Sequence, residues 1–96
     1  MIDKAHAKGI KVYGATILPF AKSFYDKDFR QPVRDTVNNW IRTSGRFDAV
    51  IDFDKVMTDP TNSKALLPDL QSGDFLHPNE AGYKRMGEAI DMKLFE

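Results

Sequence analysis

Hydrophobic residues along the chain follow two different spacings, and their alternation predicts the element order helix, strand, helix, strand, helix. The first helix is predicted over Ile2 to Lys8 and ends at Gly9, where a left-handed C-cap is expected. Only about two turns of this helix are present, and no capping residue precedes them. We therefore expect the chain to begin inside an element whose start is missing.

Two short apolar runs rich in β-branched and aromatic residues predict buried strands, from Ile10 to Leu18 and from Phe47 to Phe53. The helix between them makes a crossover, so the two strands should be parallel. Parallel sheets are normally covered on both faces and contain several strands. A two-stranded parallel sheet should therefore leave an open edge, filled by strands from a missing segment or by a second copy of the chain.

Apolar positions three and four residues apart predict a helix from Phe29 to Ser44 with one stripe facing the sheet. The stripe consists of Phe29, Val33, Val37, Trp40 and Ile41. Trp40 has the spacing of the stripe and is predicted to lie in the core. We expect Asp26 or Asp28 to cap the start of this helix and Gly45 to end it.

The last helix is predicted to begin after an N-cap at Asn79 and to run nearly to the end of the chain. Its apolar face consists of Tyr83, Met86, Ile90 and Leu94. Before it, the pattern predicts a short helix from Lys55 to Thr58, a turn cluster at residues 59–63 and an irregular apolar segment at residues 66–70.

Composition narrows the class of protein. The 96 residues make at most one domain, and fourteen acids balance fourteen bases, so no charge bias indicates nucleic acid or an anionic membrane. Without cysteine there is no disulfide, thiolate metal site or cysteine nucleophile. No apolar run approaches the roughly 18 residues of a membrane span, and the first residues, Met1 to Lys4, lack the apolar core of a secretory signal. As written, the chain is expected in the cytoplasm, while a longer parent could be secreted.

Three acids lie at the second predicted strand, namely Asp48, Asp52 and Asp54. Their spacing raises the possibility of a hard-cation site, but magnesium and calcium need more converging oxygens than this spacing guarantees. Capping of the following short helix explains the last two better. We expect neither a metal nor a cofactor.

The turn before the last helix holds Asp74 and His77, three residues apart. An Asp that accepts a hydrogen bond from one ring nitrogen of a His fixes its tautomer and leaves the other nitrogen free to take a proton. This pair is two thirds of a hydrolytic triad and is our candidate catalytic site.

The loop from Pro19 to Lys27 leaves the carboxyl end of the first strand, where open α/β sheets bind their ligands. Ser23 and Tyr25 are candidates to line a substrate site there, although the loop aromatics would equally well pack the loop onto the domain. His6 is predicted to lie on the surface of the first helix.

The longer string Asp74-x-x-His77-Pro78-Asn79-x-x-Gly82-Tyr83, followed by Met86, resembles the last conserved block of the SGNH, or GDSL-type, hydrolases. Residues 11–20, and residues 37–42 leading into residues 47–53, are also similar to the closing part of these esterases and lipases. The resemblance implies a partial flavodoxin-like α/β/α sandwich, in which residues 1–96 form one partial domain corresponding to the C-terminal third of the family's fold.

By this resemblance His77 would be the general base and Asp74 its orienting partner in the hydrolysis of an ester, such as a carbohydrate or lipid ester. The family's nucleophilic Ser and its Gly and Asn oxyanion blocks are absent from the 96 residues, and Phe75 stands where the Ser of a Gly-Asp-Ser motif would be. The chain's own serines, Ser23, Ser44, Ser63 and Ser72, do not lie in such a setting.

Two hypotheses follow. In the first, the chain is the C-terminal portion of an SGNH ester hydrolase and is not active alone. In the second, it is a non-catalytic α/β module that self-associates, and the Asp74–His77 turn is only structural. Both predict pairing through the open sheet edge, with a second copy or with the missing N-terminal part.

Overall fold

The computed structural model describes residues 1–95, which form α-helices, short strands and two 3₁₀ helices. The α-helices are α1 (Ile2–Ala7), α2 (Arg30–Thr43), α3 (Phe53–Met57) and α4 (Glu80–Glu88). The strands are β1 (Tyr13–Ala15), β2 (Ala49–Ile51), β3 (Thr58–Asp59) and β4 (Asn62–Leu66). The 3₁₀ helices are Pro68–Leu70 and Met92–Phe95. Within residues 1–95, no helix combines the length and apolar character needed to cross a bilayer.

Strands β1 and β2 pair in parallel, with Gly14 opposite Val50. The main-chain N–H of Asp48 donates to the Val12 carbonyl and that of Thr16 to the Ile51 carbonyl, so the pairing continues one residue beyond each end. Helix α2 makes the crossover between the two strands. The predicted order of helices and strands, the parallel pairing and the α/β class are confirmed.

The two parallel strands are shorter and more exposed than predicted. Each has three residues. Only Gly14 of β1 is buried, and Val50 of β2 is 39% exposed. Within the described residues each strand has one neighbour, so one edge of each is unpaired and little of the sheet is covered. The prediction that both strands are buried is wrong for this chain.

Helix α2 buries a different face from the predicted apolar stripe. Its buried residues are Gln31, Arg34, Asn38 and Ile41. Of the predicted stripe, Ile41 is buried, but Phe29, Val33 and Trp40 are 65%, 56% and 47% exposed. The prediction of a helix is correct, but the predicted buried face is wrong. The prediction that Trp40 lies in the core is therefore also wrong.

The physical reason lies in what α2 packs against. Beyond β1 the chain leaves its partner strand, and the main-chain groups of Ile17 need other hydrogen-bond partners. Asn38 supplies both: its Oδ1 accepts from the Ile17 N–H at 2.7 Å, and its Nδ2 donates to the Ile17 carbonyl at 2.9 Å. Gln31 donates similarly to the Lys64 carbonyl at 3.4 Å. Because these polar side chains of α2 form hydrogen bonds with main-chain groups of the domain, the polar face of the helix points inwards.

The segment after α3 forms an antiparallel hairpin of β3 and β4, which the sequence pattern does not predict. Strand β3 has only two residues and the ladder contains an irregularity, so no alternating pattern marks it. The apolar segment that follows supplies the core: Met57, Leu66 and Leu70 pack together, and Leu18, Val56, Leu67 and Met86 pack against them. The core residue Leu70 directly precedes the turn that carries Asp74 and His77, and Met86 belongs to the helix that follows this turn.

The helix ends show which local signals are reliable. Gly9 and Gly45 follow α1 and α2 with φ of 73° and 71°, so both predicted glycine stops are confirmed. Helix α2 has Phe29 at its N-cap and no side-chain cap, so the predicted cap by Asp26 or Asp28 is wrong. Helix α4 ends at Glu88 instead of running nearly to the end of the chain.

Candidate active site

The turn between Leu70 and Asn79 is closed at its base by main-chain hydrogen bonds. The N–H of Asn79 donates to the Leu70 carbonyl, and the N–H of Ser72 donates to the His77 carbonyl, both at 2.9 Å. Gln71 and Pro78 form an antiparallel bridge between them. The turn is therefore a closed loop whose two ends are held together by main-chain hydrogen bonds alone.

Inside this loop, the side chain of Gln71 holds the main chain in place. Its Oε1 accepts from the N–H of Gly73 at 2.8 Å and from the N–H of Phe75 at 2.9 Å. Phe75 has a φ of 60°, a left-handed conformation that costs a non-glycine residue roughly 1–2 kcal/mol. The two hydrogen bonds to Gln71 offset part of that cost and keep the turn in one shape.

Asp74 and His77 face each other across the turn. His77 Nδ1 lies 2.6 Å from Asp74 Oδ2. The other carboxylate oxygen, Oδ1, accepts from the main-chain N–H groups of Leu76 and His77, both at 2.9 Å, and from the Ser72 hydroxyl at 3.1 Å. The carboxylate is thus oriented by the same main chain that carries the imidazole.

These hydrogen bonds hold the pKa of Asp74 well below its usual range, chiefly through the bond from the His77 ring and then through the two main-chain donors. The carboxylate is therefore ionised at neutral pH and can only accept. It follows that Nδ1 of His77 carries the proton of this bond. In the neutral imidazole Nε2 is then the basic nitrogen, and it has no hydrogen-bond partner within residues 1–95.

Helix α4 fixes the far side of the turn. Asn79 is its N-cap: Oδ1 accepts from the Gly82 N–H at 2.8 Å. The same side chain reaches back, and Nδ2 donates to the carbonyls of Asp69 at 2.8 Å and Gln71 at 3.1 Å. One amide therefore links the helix to the segment before the turn, which confirms the predicted cap.

His77 lies at one side of a cleft whose other walls come from the segment after β1. The cleft has a volume of about 370 Å³. It is lined by Ile17, Leu18, Pro19, Phe20, Tyr25, Leu76 and His77. A second cleft of about 310 Å³ shares Ile17, Phe20 and Tyr25 with the first. The imidazole, which is 63% exposed, thus borders a largely apolar cleft.

The other candidates from the loop after β1 separate in the structure. Tyr25 lines the same cleft as His77, which agrees with the interpretation of Tyr25 as a residue that lines a site. Ser23 is buried and its hydroxyl donates to the Phe20 carbonyl at 2.6 Å, so it holds the loop and does not line the cleft. Ser72 donates to Oδ1 of Asp74, whereas the His77 ring contacts Oδ2.

His6 is exposed on α1, as predicted, and its Nε2 lies 2.9 Å from Asp48 Oδ2. The same oxygen accepts from the Val12 N–H at 2.6 Å. These bonds lower the pKa of Asp48, chiefly through the Val12 N–H and then through His6. The pair ties α1 to the strands and has no contact with the Asp74–His77 turn.

Asp52 and Asp54 are neutralised by arginines. Arg42 contacts both oxygens of Asp52 and one of Asp54, each at 2.8 Å, and the buried Arg34 lies 2.7 Å from Asp54. The bonds from Arg42 lower the pKa of Asp52 to about 2. Asp52 also accepts from the Lys55 N–H at 3.1 Å, which confirms the predicted capping of α3. No group of three or more His, Cys, Asp or Glu side chains within residues 1–95 is placed to hold a metal.

Two residues that shape the site have no signal in the sequence. Gln71 positions the turn through main-chain contacts, and no residue pattern distinguishes it from an exposed glutamine. Arg30 stacks on Tyr25, five residues earlier. The apolar spacing that predicts the helix carries no information about this contact. Only the folded loop brings either residue to the site.

Comparison with known proteins identifies the family. Residues 1–85 match the family model of the GDSL-like lipases and acylhydrolases. A GDSL-like lipase from Bacteroides thetaiotaomicron has 26% sequence identity and a TM-score of 0.75, covering 97% of this chain and 46% of that one. A protein from Bacteroides fragilis assigned as an acylhydrolase has 23% identity and a TM-score of 0.72, covering 98% of this chain and 46% of its own, and supports the fold alone.

A protein from Desulfitobacterium hafniense, assigned as a lipolytic protein of the G-D-S-L family, has 25% identity and a TM-score of 0.65, covering 92% of this chain and 46% of its own. The chain thus spans just under half the length of each of these solved structures. No curated protein matches it. The α/β fold, the match over residues 1–85 and the likeness to the Bacteroides thetaiotaomicron lipase agree: the chain belongs to the GDSL-like lipase/acylhydrolase family.

Proposed function

We propose that this chain carries the acid–base part of a serine ester hydrolase, with His77 as the general base and Asp74 as the residue that orients it. The supporting observation is the 2.6 Å contact between His77 Nδ1 and Asp74 Oδ2, with Nε2 unpartnered at the edge of an apolar cleft. An imidazole held in this tautomer by an ionised carboxylate is the arrangement that activates a hydroxyl nucleophile.

The chemistry begins at a serine hydroxyl that these 96 residues do not supply in the required setting. Nε2 of His77 takes the hydroxyl proton as the oxygen attacks the ester carbonyl, and Asp74 stabilises the resulting imidazolium without taking up the proton. The imidazolium then gives its proton to the departing alcohol, leaving an acyl-enzyme. Water, deprotonated by the same nitrogen, attacks the acyl-enzyme and releases the acid and the free serine.

The serine nearest to the pair in sequence does not fit this role. Ser72 donates its hydroxyl proton to Asp74 Oδ1, so it contacts the orienting carboxylate and not the basic nitrogen. Phe75 occupies the position that a serine would take in a Gly-Asp-Ser string, and its side chain cannot act as a nucleophile. The nucleophile and the oxyanion donors of the proposed enzyme therefore belong to a segment of the GDSL fold outside the part spanned here.

Complementation tests the proposal. The purified chain alone should not be labelled by a fluorophosphonate and should show no saturable hydrolysis of p-nitrophenyl acetate. Addition of the N-terminal half of a GDSL-type hydrolase, which bears the Gly-Asp-Ser block, should produce esterase activity. His77→Ala should abolish that activity, and His6→Ala, which changes the histidine remote from the site, should leave it unchanged.

Two outcomes contradict the proposal. Stoichiometric labelling of one serine in the chain alone would show that it holds its own nucleophile. A folded complex of the two parts with no activity would instead favour a second function, a non-catalytic module that associates through its sheet edge. The specific observation behind that second function is the two-stranded β1–β2 sheet, in which each strand has one unpaired edge within the described residues.

A further inference from the structure

Arg30, at the first position of α2, lies against the aromatic ring of Tyr25 and near that of Phe29. Its guanidinium carbon lies 3.9 Å from the centre of the Tyr25 ring and 5.5 Å from that of Phe29. Its Nη1 donates to the Tyr25 carbonyl at 3.0 Å. These contacts keep the guanidinium plane in a defined place, which reduces the entropy lost when it binds a further group.

The charge of Arg30 is not neutralised by any carboxylate of residues 1–95. Arg34, Arg42 and Arg46 each lie within 2.8 Å of an Asp carboxylate oxygen, whereas Arg30 and Arg85 have no carboxylate partner within residues 1–95. Of these two arginines, Arg30 is the one that lines a cleft. The guanidinium has five N–H donors, and the described chain provides one acceptor for them, the Tyr25 carbonyl. The remaining donors are available to a bound anion.

Arg30 lies in the cleft that continues from the one at His77. This second cleft is lined by Ile17, Phe20, Tyr25, Phe29, Arg30, Val33 and Arg34. The two clefts share three of these side chains, Ile17, Phe20 and Tyr25. Because the two clefts adjoin at these side chains, we expect a molecule whose ester group lies beside His77 to reach over Tyr25 towards Arg30.

The two clefts are lined largely by apolar side chains, and several of these are exposed. Ile17, Tyr25, Phe29 and Val33 are 43%, 42%, 65% and 56% exposed. Large contiguous patches of exposed apolar side chains mark interaction surfaces and ligand-binding grooves. Arg34, the other cation of the cleft, is 4% exposed and paired with Asp54, so Arg30 is the charged group that a ligand would meet.

We propose that the ester substrate of this site carries an anionic group, which Arg30 binds, separated by an apolar spacer from the ester that lies at His77. This inference rests on the proposed function, and it adds a class of substrate: esters with a carboxylate, phosphate or sulfate at some distance from the scissile bond. The bidentate fork of the guanidinium suits each of these anions.

Binding to the ¹⁵N-labelled chain, followed by NMR, tests the proposal without any need for catalysis. The probes are monomethyl suberate, which has one ester and one carboxylate, and dimethyl suberate, which has the same spacer and no charge. Monomethyl suberate should bind about five- to tenfold more tightly, since charge-assisted hydrogen bonds are stronger than neutral ones. This preference should shrink as salt is added.

Variants assign the preference to Arg30. Arg30→Gln should bind both esters equally, and Arg30→Lys should keep part of the preference, because lysine retains the charge but not the planar stacking. Arg46→Gln is the matched control, since Arg46 pairs with Asp3 away from both clefts, and it should behave as the wild type.

Equal binding of the two esters by the wild type would overturn the proposal, as would a preference that survives in Arg30→Gln. Binding that disappears as the chain self-associates would assign the cleft to a second copy and would also overturn it. Failure of the proposed function is a separate result: the charge preference would persist in the chain alone while the complemented protein showed no hydrolysis.

Discussion

Gly82 lies so close to the main chain of Leu70 that a side chain at this position has no room. A Cβ added to Gly82 would lie 2.3 Å from the Leu70 carbonyl oxygen and 3.1 Å from the end of the Met57 side chain. Helix α4 therefore rests directly on the 3₁₀ helix Pro68–Leu70 and on the core residue Met57. The Asp74–His77 turn spans these two elements, so its shape depends on this contact.

Replacement of Gly82 by alanine should destabilise the chain. The Leu70 carbonyl is main chain and cannot move aside without shifting the segment that leads into the turn. We expect the free energy of unfolding to fall by about 2 kcal/mol, as for other overpacked sites, with a decrease in Tm of about 10 °C. Thermal unfolding followed by circular dichroism measures this change.

Gly87→Ala is the control on the same helix. Apart from its chain neighbours and the nearby backbone of α4, no atom of the described residues lies within 4 Å of the position that its Cβ would take. Because alanine is a better helix former than glycine, this variant should be neutral or gain up to about 1 kcal/mol. Equal effects of the two substitutions would show that helix propensity, and not the contact with Leu70, decides the stability at these positions.

The two histidines should adopt opposite neutral tautomers. Asp74 binds His77 through Nδ1, whereas Asp48 binds His6 through Nε2. Long-range ¹H–¹⁵N correlation spectra should therefore show the proton on Nδ1 of His77 and on Nε2 of His6. In Asp74→Asn the preference of His77 should be lost and that of His6 kept. A proton on Nε2 of His77 in the wild type would remove the basis for its role as a general base.

The pair of Arg42 and Asp52 predicts that the free energy of unfolding decreases at acid pH; we call this decrease the acid limb. Arg42 lowers the pKa of Asp52 to about 2, below the value of about 3.9 in an unfolded chain. A depressed folded-state pKa adds stability that is present above about pH 4 and is lost as the pH falls towards 2. Asp52→Asn should keep the α3 cap, lose about 1–2 kcal/mol at neutral pH and flatten this limb.

Urea unfolding at a series of pH values from 2 to 7 measures the effect of Asp52→Asn. Asp28→Asn is the control, because Asp28 is exposed and its side chain makes no hydrogen bond in the described chain. The control should leave the acid limb as steep as in the wild type. An unchanged limb in Asp52→Asn would show that other carboxylates dominate the response to acid.

Local sequence patterns of a few residues are sufficient to predict part of the fold and of the candidate site. The cap at Asn79 depends on an oxygen and an N–H three residues apart, and the contact of Asp74 with His77 depends on a similar spacing, so both can be predicted from the sequence. The parallel pairing of β1 and β2 follows from the crossover alone, without knowledge of any side-chain contact.

Features that depend on distant partners could not be predicted in this way. Which face of α2 is buried depends on the main-chain groups of Ile17, which lie 21 residues before Asn38 and form hydrogen bonds with its side chain. The spacing of apolar residues within the helix does not show that these groups need a partner. The cleft brings Tyr25 beside His77, and these residues belong to different loops. The apolar stripe gave the helix its period, but the partner of the helix decided which face turned inwards.

The exposed apolar residues of α2 and β2 lead to the last prediction, that the chain self-associates at micromolar concentration. Trp40 is 47% exposed and packs edge-to-face on Phe47, with ring centres 5.5 Å apart, and Val50 of β2 is 39% exposed. Burial of a large apolar side chain contributes about 1.5–3 kcal/mol. Trp40→Glu should therefore weaken the dimer about tenfold or more in sedimentation velocity, whereas Asn39→Glu on the same helix should have little effect. A well-folded wild-type monomer throughout the micromolar range would contradict self-association through this surface.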